Sequence, residues 1–201
     1  MSAPHPRTRR RCIAGFSMVE LAVSMTVVLI LSAIAIPSLL HSVRTYQLND
    51  AASRLSGMLK FTRYEAVRRN TPVACHIKQQ GTGWIIWTGP IANTAASPTD
   101  RQLLINGFAT LLPEGGSPGP PSQSTITGTL GVSGNLTPLS GANGAVSFDA
   151  RGALLPLAGY VLYVGSAANP DEFGYRAVVL LPSGSTQVWS ATAGGTWQRT
   201  G

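Results

Sequence analysis

The sequence predicts an α+β chain, in which a long N-terminal helix with a transmembrane first half packs, through its second half, on a C-terminal antiparallel β-sheet domain. Three observations carry this expectation. From Leu21 to Ile36 the chain has no charge, and its only polar side chains are the small hydroxyls of Ser24, Thr26 and Ser32. From Ser38 to Asn70 apolar and small residues recur every three or four positions, which is one face of a 3.6-residue period. Beyond Pro72 short alternating runs are separated by turn residues, in a chain holding 22 Gly and 14 Pro.

The length of 201 residues allows one membrane segment and one modest domain. The net charge of +7 comes largely from the leader, where Arg7, Arg9, Arg10 and Arg11 stand without an acid. Beyond residue 15 the excess is +3, too small to announce a nucleic-acid binder. Of the two cysteines, Cys12 lies in the leader, so a processed chain keeps only Cys75, expected as a buried free thiol.

A basic leader before an apolar segment admits three readings. One is a secretory signal, with Ala33-Ile34-Ala35 as an A-x-A-like cleavage site. Another is a plain single-span anchor, with arginines on the cytoplasmic side and about 20 apolar residues for a bilayer core of ~30 Å. Both leave Glu20 unexplained, because a carboxylate at a membrane helix centre costs ~2.5–3.5 kcal/mol and less near the interface. The third reading gives Glu20 a partner. The stretch Gly15-Phe16-Ser17-Met18-Val19-Glu20-Leu21, with Pro37 further on, resembles the prepilin signal of type IV pilins and type II secretion pseudopilins. The resemblance implies cleavage between Gly15 and Phe16, N-methylation of Phe16, and filament assembly through Glu20 and Pro37. A new amine on Phe16 and a carboxylate on Glu20 have opposite charge, so neighbouring subunits could neutralise one another within lipid.

The helix is expected to resume after Pro37, which removes an amide donor and kinks. Leu48, Ala52, Leu55, Leu59, Thr62 and Ala66 form the buried face. Arg44, Asp50, Arg54, Lys60, Arg63, Glu65, Arg68 and Arg69 occupy the other faces. Asn70-Thr71-Pro72 ends the helix, since a residue before proline avoids the α region. Arg63, Arg68 and Arg69 are candidates for a phosphate contact, set against a solvated helix face.

The β region opens with a hairpin: 73–78 alternates, Gln80-Gly81-Thr82-Gly83 turns, and 84–88 returns. Further strands are expected at 102–105, 108–112, 124–130, 145–148, 161–164, 175–181, 186–190 and 196–198. Residues 90–100, 113–122 and 135–144 read as loops, the second an exposed excursion carrying Pro113, Pro118, Pro120 and Pro121. Asp171-Glu172 reads as an acidic turn.

No catalytic constellation emerges, and neither a metal nor a cofactor is expected. Cys75 and His76 are strand neighbours facing opposite ways, which disfavours shared chelation or a nucleophile–base pair. His76 is expected on the surface. Trp84, Trp87, Trp189 and Trp197 fit core packing better than a base-stacking platform.

A second resemblance narrows the family. Arg63, Glu65, Ala66, Arg68, Arg69, Val73 and Cys75 match the helix-to-strand junction of the GspH/FimT family, and Gly83-Trp84 is similar to its G-W strand. Phe148 to Gly152 and Val178 to Gly184 resemble its F-x-x-x-G stretch and closing hairpin. The resemblance implies a type IV pilin-like fold with a leader at 1–15, a hydrophobic transmembrane and assembly helix at 16–37, an amphipathic half at 38–71 and a periplasmic β-rich domain at 72–201. It implies a non-enzymatic minor pseudopilin or pilin, anchored in the cell inner membrane by one pass and built into a pseudopilus or pilus. Partners would be other pilins or pseudopilins, the prepilin peptidase, an inner-membrane assembly platform and membrane lipid. A rival reading is a DNA-binding minor pilin for natural transformation. Its relatives use a basic G-R-x-R-like stretch, and the matching place here, Gly184-Ser185-Thr186-Gln187, has no arginine. The other rival is a secreted β protein with an ordinary signal peptide.

Overall fold

The computed structural model describes residues 16–113, 119–131, 136–139, 143–166 and 168–200. The chain divides into two compact units, residues 1–40 and 41–201. The leader, including Cys12 and Gly15, lies outside the described residues, as does 114–118 with Pro118.

One helix, α1 (Met18–Arg69), runs through both units with Pro37 inside it. The sequence places a kink at Pro37; the helical hydrogen-bond pattern continues past it. In the first unit no residue of the segment is buried, and it is long and apolar enough to cross a membrane. In the second unit the predicted face is the buried one: Leu48, Ala52, Leu55, Leu59, Thr62 and Ala66 have no solvent exposure. The helix ends with Asn70 in the left-handed region (φ 50°). Thr71 N–H donates to the Ala66 carbonyl and Asn70 N–H to that of Val67. This 6→1 closure satisfies carbonyls that the last turn would otherwise orphan.

Among the described residues the strands form two sheets. The first contains β1 (Val73–Gln80), β2 (Gly83–Gly89), β3 (Gln102–Ile105), β6 (Asn143–Phe148) and β7 (Leu154–Leu155), ordered β3-β2-β1-β6-β7. The second contains β4 (Ala109–Leu112), β8 (Tyr160–Ser166), β9 (Tyr175–Leu180), β10 (Thr186–Ala191) and β11 (Gln198–Arg199), ordered β11-β10-β9-β8-β4. A two-residue strand, β5 (Thr137–Pro138), adds to β8 in parallel, while the other pairings are antiparallel. Within the second unit, α1 packs on both sheets. Leu55, Met58 and Leu59 share one apolar cluster with Val73, Cys75 and Ile86 of the first sheet and Leu162, Val178 and Leu180 of the second. Trp84 Nε1 donates to Thr110 Oγ1 at 3.0 Å, joining the sheets where β3 hands over to β4.

Period-two alternation sends the other side chains of β8 and β9 to a second core. Val161, Tyr163, Tyr175, Ala177 and Val179 pack there with Trp189, Trp197 and Ile126. What covers this face corrects an expectation. Ser124–Leu130, predicted as a strand, is a helix, α2. Its Thr-Ile-Thr alternation suits a strand, but tertiary contacts decide otherwise. Ile126 is fully buried, and Gln123 before it clamps Leu136 by accepting from its N–H (2.8 Å) and donating to its carbonyl (3.2 Å). Thr127 and Thr129 spend their hydroxyls on carbonyls one turn back, and Gly131 closes the helix at φ 62°. The preceding residues 119–121 are half-buried, with Pro121 accepting from Trp197 Nε1. The acidic turn at Asp171-Glu172 forms one helical turn, α3 (Pro170–Phe173). Phe173 stacks on His41 and meets Phe108 edge-on, while Arg44 caps the Phe108 ring, so the globular unit grips α1 from its first residues onward.

Candidate functional site

Two regions carry the residues singled out by sequence. The first is the start of α1. Leu21 N–H donates to Ser17 O and closes the first turn, which contains Glu20. Ser24 Oγ donates to Leu21 O at 2.9 Å and Thr26 Oγ1 to Ala22 O at 2.8 Å. These hydroxyls are spent on the helix itself, so they present no free donor to lipid or a neighbour. From Phe16 to Leu40, Glu20 is the only acidic or basic side chain. An acid in the first turn also suits the positive end of the helix dipole. Phe16 is exposed, and Pro37 withholds the N–H that the Ala33 carbonyl would accept.

The second region is the end of α1. Glu65, assigned by sequence to an outer face, is 5% exposed. Its carboxylate accepts a two-pronged contact from Arg68 (2.9 and 2.8 Å) and a 2.7 Å bond from Arg69 Nε. Spacings of three and four place all three groups on one side of the helix. The Arg68 hydrogen bond holds the Glu65 carboxyl down at about 2, against burial, which pushes the other way, with Arg69 assisting. Because the folded value is depressed, the stabilisation is present above the ordinary value of 4.5 and is lost as pH falls through about 2. Both arginines stay half-exposed and regain water when the acid is removed. Glu65→Gln should therefore cost about 1–3 kcal/mol at pH 7. Thermal melts of the full-length chain in detergent should show this difference shrinking between pH 5 and pH 2.

Arg63 is engaged differently: its Nε donates to the Gly152 carbonyl at 3.0 Å. Gly152 (φ 80°) and Gly184 (φ 77°) both press on this arginine, and a β-carbon at Gly184 would collide with the Gly152 carbonyl oxygen. Asp149 accepts from the N–H groups of Arg151 and Ala153, and Leu154 N–H donates to Pro182 O. The helix, the Phe148-to-Gly152 stretch and the closing hairpin, noticed separately in the sequence, thus meet at one point.

Other expectations are revised here. His76 is buried, not on the surface: the Pro90 carbonyl accepts from its Nε2 at 2.9 Å, and its ring stacks on Trp87. The loop after β2 covers what looked like an open sheet face. All four tryptophans are buried at 2–6% exposure, so they form no platform for bases. Arg176, a cation in the last strands, is 8% exposed, bonded to Asn49 Oδ1 (2.6 Å) and Tyr175 O (3.0 Å), and burial lowers its pKa. Its position in a β-branched strand gave no sign of this. Cys75 is a free buried thiol, pushed up to about 12 by burial. It should stay unreacted toward a thiol reagent under native conditions and become fully reactive in denaturant. Among the described residues no group of three or more His, Cys, Asp or Glu could hold a metal ion.

Residues 51–184, the last third of α1 and most of both sheets, match the family described as Type II transport protein GspH. The chain belongs to the GspH family. Residues 10–36 match the prokaryotic N-terminal methylation motif. A GspH-family chain with this motif is a minor pilin or pseudopilin, a structural component of a pilus or pseudopilus, and its apolar N-terminal helix is the membrane-anchoring segment. No curated protein matches in sequence. Among solved structures, the Pseudomonas aeruginosa (strain PAO1) type IV minor pilin FimU is similar at 16% identity, covering 76% of this chain and 97% of that one, with a TM-score of 0.44. A second crystal form of FimU gives 18% identity, 78% and 90% coverage and a TM-score of 0.37.

Proposed function

We propose that the chain is an accessory subunit of a type II secretion pseudopilus or type IV pilus, held by one pass in the inner membrane with residues 72–201 in the periplasm. The prepilin peptidase cuts between Gly15 and Phe16, and Phe16 is then N-methylated. The new amine of one subunit meets Glu20 of its neighbour, setting the axial register, while Pro37 frees a carbonyl where the apolar segment ends. The peptidase, an assembly platform and other pilins or pseudopilins are its partners. One observation carries this reading: a single carboxylate, in the first turn of an exposed and otherwise uncharged apolar segment, within the matched methylation motif.

The subunit makes and breaks no bond in this role; its work is packing. The DNA-binding reading finds little support in the cations. Arg63 is spent on Gly152, Arg68 and Arg69 share Glu65, and Arg176 is buried. Mass spectrometry of the chain purified from membranes tests the proposal: a mature protein beginning with N-methylated Phe16 is expected. A start at Ile36 would instead establish the secretory-signal reading.

A further inference from the structure

Against the outer face of the first sheet, beneath the loop that follows β2, lies an open pocket of about 480 Å³ lined by His76, Lys78, Trp87, Ile91, Asn93 and Thr94, among others. That volume is in the range of small-ligand sites. Trp87 is 3% exposed, yet its Nε1–H has no acceptor among the described residues. The other three indoles donate to Thr110, Gln187 and Pro121. Buried indole donors normally find a partner, so this one points to a missing acceptor.

The surroundings define what that acceptor is. A β-carbon placed on Gly89 would lie 3.7 Å from Trp87 Cδ1 and 3.3 Å from Asn93 Nδ2. The pyrrole edge of the indole and the Asn93 amide therefore both lie close to Gly89. His76 cannot serve the indole N–H, because its ring lies nearly parallel on Trp87 (5.0 Å, 17°), whereas the N–H points in the ring plane. Its Nε2 is fixed on Pro90. Lys78 is two residues along β1, on the His76 side of the strand, and is in no ion pair among the described residues. Among the described residues no acidic side chain lines the pocket, and Ile91 leaves an apolar flank at 49% exposure.

We propose that this pocket binds a carboxylate carried by an acidic side chain of a partner polypeptide, with Trp87 Nε1–H as the buried donor and Lys78 as the counter-charge. A carboxylate is acceptor-only, bears one negative charge and can take both donors. The site lies in the globular unit, apart from the N-terminal assembly segment, and does not depend on how that segment works.

The test uses the full-length protein in detergent micelles with ¹⁵N-labelled tryptophan. The Trp87 indole signal is assigned by its loss in Trp87→Phe. The probes are the capped peptide acetyl-Ala-Glu-Ala-amide, its Gln counterpart, sodium acetate and sodium phosphate. The Glu peptide should move the Trp87 indole proton downfield and saturate, leaving the other three indoles unmoved. Lys78→Gln, at an exposed position, should weaken this binding about tenfold. Acetate binding as tightly as the peptide would keep the carboxylate site but make a free small acid its ligand. The proposal is overturned if the Gln peptide or phosphate moves Trp87 as much, or if no carboxylate moves it at millimolar concentration. An indole already bonded to a fixed water, and indifferent to every probe, gives that last outcome.

Discussion

Glu20→Ala should leave the chain membrane-bound and cleaved after Gly15, yet absent from filaments. The variant removes the one acidic side chain of the apolar segment, so the energetic obstacle to sitting in lipid falls. The first turn of α1 depends on the Leu21–Ser17 backbone bond and not on the carboxylate. Anchoring and processing are therefore spared. Assembly is not: the amine of a neighbouring Phe16 would then be buried with no counter-charge, and leaving one partner of a buried ion pair costs about 3–5 kcal/mol. At about 1.4 kcal/mol per decade, incorporation should fall a hundredfold or more. Comparing the chain in membranes with that in a sheared filament fraction measures the split. Glu20→Asp, which keeps the charge at a shorter reach, should recover part of the loss. Filaments containing Glu20→Ala at the wild-type level would sink the pairing.

How much of this was legible in the sequence depends on the range of the interaction. The buried face of α1, its end at Asn70, the β1–β2 hairpin and β3 follow from periodicity and turn chemistry, which act within a few residues. Long-range packing was not legible. Ser124–Leu130 carries a strand-like pattern, and only the waiting face of β8 and β9 with the Gln123–Leu136 clamp makes it helical. His76 alternates correctly along β1 but is covered by a loop whose composition says only that it turns. Glu65 is the instructive case: spacings of three and four to Arg68 and Arg69 announce the ion pairs. Its burial, at 5% exposure, is a tertiary outcome that those spacings do not announce. Arg63, Gly152 and Gly184 were each visible as family-like residues, but their meeting was not.

That meeting sets the largest stability effect expected in the globular unit. Gly184→Ala should destabilise the chain by about 2–4 kcal/mol through two separate causes. At φ 77° the backbone is left-handed, where an alanine is strained. The added methyl would also be driven into the Gly152 carbonyl oxygen and to 3.0 Å from Arg63 Nε. The Gly152 carbonyl is itself held by that Nε, so relief by moving it breaks the Arg63 bond. Relief by moving the β9–β10 turn would strain the Leu154–Pro182 bond between the sheets. For a chain of this size the melting midpoint should drop by roughly 5–15 °C. Gly81→Ala separates the two causes. Gly81 has a similar φ of 62° but open space around its α-carbon, so only the backbone term remains, about 1 kcal/mol. Equal losses for the two variants would mean that the contact with Gly152 and Arg63 adds nothing. A larger loss at Gly184, diminished when Arg63→Ala is the background, would locate the excess at the point where helix, sheet turn and closing hairpin touch.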